Sequence, residues 1–138
     1  MPTWMVVEDE PDLFNVVLAM YALLEVDGIA FSSGEETLYW IDDVDNGLTS
    51  AQLPEMALLD IRLPGQVSGP MIAERIRNSP VLGSIAIVMM TAYKLSPREE
   101  QMIRVQSGCD MLLYKPLPRP SEFKKMMHTL IAQKYASH

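Results

Sequence analysis

A chain of 138 residues, 49% hydrophobic and 21% charged, has the balance of one packed domain rather than of a disordered segment. Eighteen acidic residues against eleven basic ones leave a formal charge of −7, which argues against direct nucleic-acid binding through a basic face. No apolar stretch approaches a membrane span, the N-terminus lacks the basic-then-apolar order of a signal peptide, and the lone Cys109 allows neither an internal disulfide nor a thiolate cluster. The expectation is a cytoplasmic protein that does not engage membranes.

Residues 3–7 form a short apolar run that reads as a strand and ends in Glu8-Asp9-Glu10. A helix follows Pro11, with Phe14, Val17, Leu18, Tyr21 and Leu24 at helical spacing on one side. Leu13, Val16, Met20 and Leu23 make a second apolar side, suited either to full burial or to a partner's helix. A short second strand is expected at 29–31. Ser33 and Glu36 then have the spacing of a capping box for a helix running to about Val44. Residues 45–54 are polar and turn-rich and read as an extended loop, and Asp42, Asp43 and Asp45 read as a solvated acidic patch.

The third strand, from Met56 to Leu59, runs into Asp60 and the Pro64-Gly65 turn. A third helix begins near residues 68–70 and turns Met71, Ile72 and Ile76 inward. Residues 85–90 form the fourth strand, which ends at Thr91. Ser96-Pro97-Arg98-Glu99 is a strong helix start, with Ser as N-cap, Pro at the first helical position and Glu three residues after the cap. Residues 111–114 form the fifth strand, which ends in Lys115-Pro116. The last helix carries Phe123, Met127, Leu130 and Ile131 on one face and Lys124 and Lys125 on another, and residues 134–138 are left as a tail. His128 on that helix reads as a packing or surface residue, and most of the eleven methionines as core filler.

Five apolar runs alternating with amphipathic segments are the pattern of a parallel, doubly wound α/β sheet with helices on both faces. In such a sheet the site lies beyond the carboxyl ends of the strands, where the strand order switches. The acid cluster, Asp60, Thr91 and Lys115 each follow a strand at that edge. Each has an ordinary reading alone: a solvated helix start, a turn residue, a strand end, a Lys-Pro turn. Only an assembled site accounts for all four together.

Glu8, Asp9 and Asp60 brought close would repel one another unless protons or a cation intervene. Hard carboxylate oxygens without His or Cys point to Mg²⁺, which keeps open positions for a phosphoryl oxygen. Asp60 can then serve as a carboxylate nucleophile that forms an acyl phosphate. The Lys115 ammonium and the Thr91 hydroxyl would neutralise and hydrogen-bond the transferred group.

These residues resemble the receiver domain of two-component response regulators over essentially the whole chain. Val7-Glu8-Asp9-Glu10 is similar to the family's acidic motif and Leu58-Leu59-Asp60-Ile61-Arg62-Leu63-Pro64-Gly65 to its phosphoacceptor segment. Met90-Thr91-Ala92 is similar to its switch-hydroxyl motif, and Tyr114-Lys115-Pro116 to its lysine motif. The resemblance implies a flavodoxin-like (βα)5 fold with strand order 2-1-3-4-5, spanning 1–138 as a single receiver domain without an output domain. It implies that Asp60 accepts a phosphoryl group from a histidine kinase or histidine phosphotransfer protein, with Thr91 and Lys115 assisting. Asp9, Asp60 and the backbone carbonyl of Arg62 would hold Mg²⁺, with Glu8 acting through a water. A cis peptide before Pro116 is implied as well, aiming Lys115 into the site. The output is altered binding to a downstream protein that the sequence does not identify, with self-association into a homodimer left open.

The chain departs from the family pattern in three places. Leu112 stands where an aromatic residue usually couples to the switch hydroxyl, and Tyr114 shares its strand parity. The turn at residues 65–69 is one residue longer than the common form, with Ser68 where Asp is frequent; the segment between Thr91 and Lys115 is also slightly extended. Arg62 and Tyr93, each two residues beyond a site residue, stand where the family tunes water access to the phosphoryl group. A phosphatase of the haloacid dehalogenase type would need a second Asp at position 62, where Arg stands. A flavin site would need a hydroxyl-rich phosphate loop where Glu8-Asp9-Glu10 stands, and glycine-rich nucleotide loops are lacking. The main alternative is a receiver-fold module that binds partners independently of phosphorylation. Leu112 favours it; the intact Asp9, Asp60, Thr91 and Lys115 oppose it.

Overall fold

Apolar residues at both parities of three short segments leave them no stable place except the middle of a sheet covered on both faces. The computed structural model, which describes residues 1–49 and 51–136, puts them there. Strands β1 (Thr3–Val7), β3 (Met56–Asp60) and β4 (Ala86–Thr91) are buried at every position. β2 (Asp27–Phe31) and β5 (Met111–Tyr114) form the half-exposed edges. All pairings are parallel, in the order β2-β1-β3-β4-β5. The doubly wound expectation and its strand order therefore hold.

Alternation along the strands divides the core in two. Trp4, Val6, Leu58, Val88 and Met90 pack beneath α1 (Pro11–Leu23) and α5 (Pro120–Ala136), through Val17, Tyr21, Phe123 and Met127. Met5, Val7, Leu59, Ile87 and Met89 pack on the other face with Ile41 of α2 (Gly34–Asp45) and Ile72 and Ile76 of α3 (Gly69–Arg77). Each such aliphatic side chain contributes about 1.5–3 kcal/mol when fully buried. The Tyr21 hydroxyl, buried and donating to the Met5 carbonyl at 3.0 Å, ties α1 to β1, and its ring meets Trp4 edge-on. His128 lies exposed on α5 with its ring edge-on to Trp4. The fourth helix, α4 (Pro97–Ser107), is different: only Ser107 of its residues is buried.

Several boundaries shift for physical reasons. β2 begins at Asp27, two residues before the apolar run, because register with Thr3 and Trp4 recruits Asp27 and Gly28. Ile85 falls outside β4: its amide donates to Leu82 in a turn, and its carbonyl accepts a hydrogen from Arg77. Lys134 to Ala136 continue α5 instead of forming a tail, and Lys134 pairs with Asp110 at 3.2 Å. Ser137 and His138, expected in that tail, and Ser50, expected in the 45–54 loop, lie outside the described residues. The second side of α1 splits, with Met20 buried and Val16 and Leu23 exposed. The acidic patch is split: Asp42 and Asp43 stay exposed as expected, while Arg75 of α3 bonds Asp42 at 2.9 Å and the half-buried Asp45 at 2.7 Å.

At the edge opposite the candidate site, Arg77 acts as a hub. Its guanidinium donates to the carbonyls of Gly83, Ile85 and Gly108 and to Asp110. Asp110 in turn accepts the Ile87 amide hydrogen at 2.8 Å. The C-terminal end of α4 is thereby tied to the beginnings of β4 and β5.

Candidate functional site

Parallel register brings the polar strand ends to one edge. Val7 pairs with Leu59 and Asp60 with Met90, so Glu8, Asp60 and Thr91 follow one another across β1, β3 and β4. Thr91 lies opposite Tyr114, and the Lys115 amide donates to the Thr91 carbonyl at 2.8 Å, which brings the lysine motif to the same edge. The Lys115–Pro116 peptide is cis.

Three of the expected side chains meet directly. The Lys115 ammonium donates to Glu8 Oε1 at 2.7 Å and to Asp60 Oδ2 at 3.0 Å. Glu8 is fully buried, and its other oxygen accepts the Asp9 amide hydrogen at 3.0 Å. Asp60 is buried too, and its Oδ1 accepts the Arg62 amide hydrogen at 3.2 Å. Asp9 is exposed at the rim. Carboxylate oxygens of Glu8, Asp9 and Asp60 lie within 4.8 Å of one another. Thr91 is buried at the end of β4, where its hydroxyl accepts the Tyr93 amide hydrogen at 3.1 Å. No hydrogen bond joins Thr91 to Asp60 among the described residues.

Glu10, the third acid of the first cluster, belongs to the helix instead. Its carboxylate caps α1 by accepting the amide hydrogens of Asp12 at 3.1 Å and Leu13 at 2.7 Å. The helix-start reading of this cluster thus holds for one acid, and the cleft takes the other two.

Three carboxylates against one ammonium leave the pocket with excess negative charge. Burial, and then the nearby Asp60, push the Glu8 carboxyl up to about 7 even though Lys115 pulls the other way. Lys115 is raised: burial alone would lower it, but the hydrogen bonds and charges of Glu8 and Asp60 outweigh that. A divalent cation would relieve this imbalance, and an all-oxygen set that is partly exposed through Asp9 suits a hard ion that keeps waters. The residues present therefore fit Mg²⁺.

Two contacts of the rim join residues that the sequence marks only singly. The Arg62 guanidinium sits 3.8 Å from the centre of the Tyr93 ring, bridging the β3–α3 and β4–α4 connections. Tyr114, exposed at the end of β5, donates its hydroxyl hydrogen to Glu100 of α4. Leu112, by contrast, is half-buried against the α2/α3 core layer. Strand parity alone marks Tyr114 as a candidate, and its partner on α4 emerges only when β5 and α4 are adjacent.

Fold and cleft together define a class: a doubly wound α/β domain with an acidic, metal-competent pocket at the carboxyl ends of its strands. Residues 5–128 match the family model described as the response regulator receiver domain, and the chain belongs to that family, whose members are the signalling domains of two-component systems. Solved structures agree in fold. A CheY-like response regulator receiver domain protein from Methanospirillum hungatei superposes with a TM-score of 0.80 at 16% identity, covering 100% of this chain and 99% of that one. The signal receiver domain of a modulated diguanylate cyclase from Desulfovibrio desulfuricans gives 0.79 at 21% identity, covering 100% and 99%. The receiver domain of a sensor histidine kinase from Pseudomonas aeruginosa gives 0.77 at 22% identity, covering 95% and 98%; that structure has a magnesium ion coordinated in its active site cleft. No curated protein sequence matches this chain significantly. No helix among the described residues is long and apolar enough to cross a membrane.

Proposed function

We propose that this chain is a phosphorylation-switched signalling domain of the cytoplasm in which Asp60 receives a phosphoryl group from a histidine kinase or a histidine phosphotransfer protein. The observation that carries the reading is Lys115, held between the buried Glu8 and Asp60 and facing the acids that Asp9 completes. An oxygen of Asp60 attacks phosphorus, the bond from phosphorus to the donor nitrogen breaks, and its electron pair returns to the imidazole. The product is an acyl phosphate, and free histidine leaves.

Lys115 stays close to Asp60 and offers its charge to the transferred oxygens. The Thr91 hydroxyl, whose oxygen accepts the Tyr93 amide hydrogen, donates its own hydrogen to a phosphoryl oxygen. Asp9, Asp60 and the Arg62 carbonyl would hold Mg²⁺, with Glu8 reaching it through water. When bound, the ion supplies charge neutralisation and orientation for the incoming phosphoryl group. Arg62 stacked on Tyr93 limits water access to the product. The signal leaves through altered protein binding, and the only chemistry of the domain is at Asp60 itself.

Intact mass after incubation with Mg²⁺ and a small phosphodonor tests this reading. The expected result is one phosphoryl adduct on the wild type, lost in Asp60→Asn and on omission of Mg²⁺. A wild type that gains no adduct from small donors or from candidate kinases overturns it, in favour of a module that binds partners without phosphorylation.

A further inference from the structure

The turn that follows Asp60 rests its middle on a different element. Glu35, in the first turn of α2, accepts the Gln66 amide hydrogen on Oε1 at 3.0 Å. Gly65 has φ +81° and lies so close that a Cβ there would stand 2.7 Å from that same oxygen. The neighbouring residues repeat the contact from the other side: a Cβ on Gly34 would meet Val67 at 2.6 Å, and Val67 itself is buried. The two ends of the turn are tied to neighbouring residues of the chain leaving β3: the Arg62 amide donates to Asp60 Oδ1, and the Gly69 amide donates to the Ile61 carbonyl at 3.1 Å. α2 is braced in its turn by Arg75 of α3 through Asp42 and Asp45.

We propose that Glu35 is a positioning residue for the Asp60 site, holding the β3–α3 turn through Gln66 so that the Arg62 backbone stays beside the Asp60 carboxylate. The inference rests on the phosphoryl-accepting reading of Asp60 and extends it to a residue on another helix, outside the cleft. A carboxylate suits the task. Its acceptor oxygens sit on a short stem already ordered by the helix, and a charge-assisted hydrogen bond to an amide is stronger than a neutral one. Without it the glycine-containing turn would gain freedom where the site needs a fixed backbone.

The test compares wild type, Glu35→Ala and Glu35→Gln as full chains. It reads Mg²⁺ affinity from amide NMR shifts, phosphoryl labelling from a small donor, and hydrogen exchange at Gln66. In Glu35→Ala, Mg²⁺ binding weakens roughly three- to tenfold, less than the roughly 10–100-fold cost of groups bonded directly to a metal ligand, because Glu35 acts one step further out. Labelling slows in step, and Gln66 exchanges faster. Glu35→Gln keeps an acceptor oxygen and stays within about twofold of wild type. Glu35→Ala that binds Mg²⁺ and labels as the wild type does, with Gln66 deprotected, overturns the positioning role. A wild type that binds Mg²⁺ but takes no phosphoryl group sinks the reading of Asp60 instead, and the Mg²⁺ titration still decides Glu35.

Discussion

The segments that follow β3 and β4 both leave buried strands at the candidate site, yet they are built in opposite ways. After β3 the chain is clamped. Ile61 and Val67 are buried, Gly69 lies against the Asp60 carbonyl, Glu35 holds Gln66, and α3 buries Gly69, Pro70, Ile72, Ala73 and Ile76. After β4 the chain is exposed. Ala92, Tyr93 and Lys94 are exposed, and α4 buries only Ser107 while Met102 and Val105 face solvent. α4 is held near its ends instead, by Tyr114 on Glu100 and by Arg77 on the Gly108 carbonyl. Under the proposed function, the first segment is the wall that keeps the Asp60 geometry, and the second, less buried one is the wall that can change shape. Elements that move are drawn from the low-stability end of a fold.

The largest effect should come from breaking the rigid wall. A Cβ on Gly69 would stand 2.0 Å from the Asp60 carbonyl oxygen, a contact that only backbone movement can relieve. Gly69→Ala should cost about 2–4 kcal/mol by overpacking. That corresponds to a melting point lower by roughly 10 °C in a thermal scan. An unchanged melting point would mean that this wall yields.

Next comes the ion. Mg²⁺ at a hundred times its dissociation constant should stabilise the folded wild type by about 2.7 kcal/mol. Asp9→Asn removes the exposed carboxylate of the three, so its melting point should barely respond to Mg²⁺.

The bridge between the two walls gives a smaller effect. Unstacking Arg62 from Tyr93 with Tyr93→Ala should speed loss of the phosphoryl group by about threefold, the scale of an exposed cation–π contact. Dephosphorylation at the wild-type rate in both Tyr93→Ala and Arg62→Ala would remove the shielding role.

On the less buried wall, Tyr114→Phe deletes one exposed hydrogen bond and should leave the melting point nearly unchanged. Its signature is local, namely faster amide exchange in the first turns of α4 with the exchange of α3 unchanged.

The smallest effect concerns acid. The hydroxyl of Ser79, 2.5 Å away, and then the Arg75 guanidinium hold the Asp45 carboxyl below its ordinary 3.8, against a counteracting desolvation. A depressed carboxyl stabilises the fold above the unfolded value. That contribution is lost as pH falls below about 3.8 and through the folded value. Asp45→Asn should therefore flatten the acid limb of a stability–pH profile below pH 4 and leave the neutral limb nearly parallel to wild type.

Much of the site was legible because its residues stand at strand ends, where an apolar run marks the strand and the next polar residue marks the edge. Glu8, Asp60 and Lys115 were identifiable for that reason, as was the Ser96 cap, whose Glu99 lies within the same turn. Glu35 was not. Beside Ser33 and Glu36 it reads as an ordinary acid in a helix start, and its partner Gln66 is 31 residues away. The same holds for Arg75 with Asp42 and Asp45, which the sequence shows only as a charged helix and an acidic run.

By itself the sequence determined the alternation of strands and helices and the polar character of the strand ends. Both follow from local periodicity, which records which side of each segment must leave water. Tertiary structure decided which charges meet. Glu8 and Lys115 are 107 residues apart and come to 2.7 Å only because parallel register aligns the ends of β1, β3, β4 and β5. It also decided that α3 is buried along one face and α4 is hardly buried at all. Each helix offers a few apolar residues, and the difference lies in how much of the neighbouring layers closes over them.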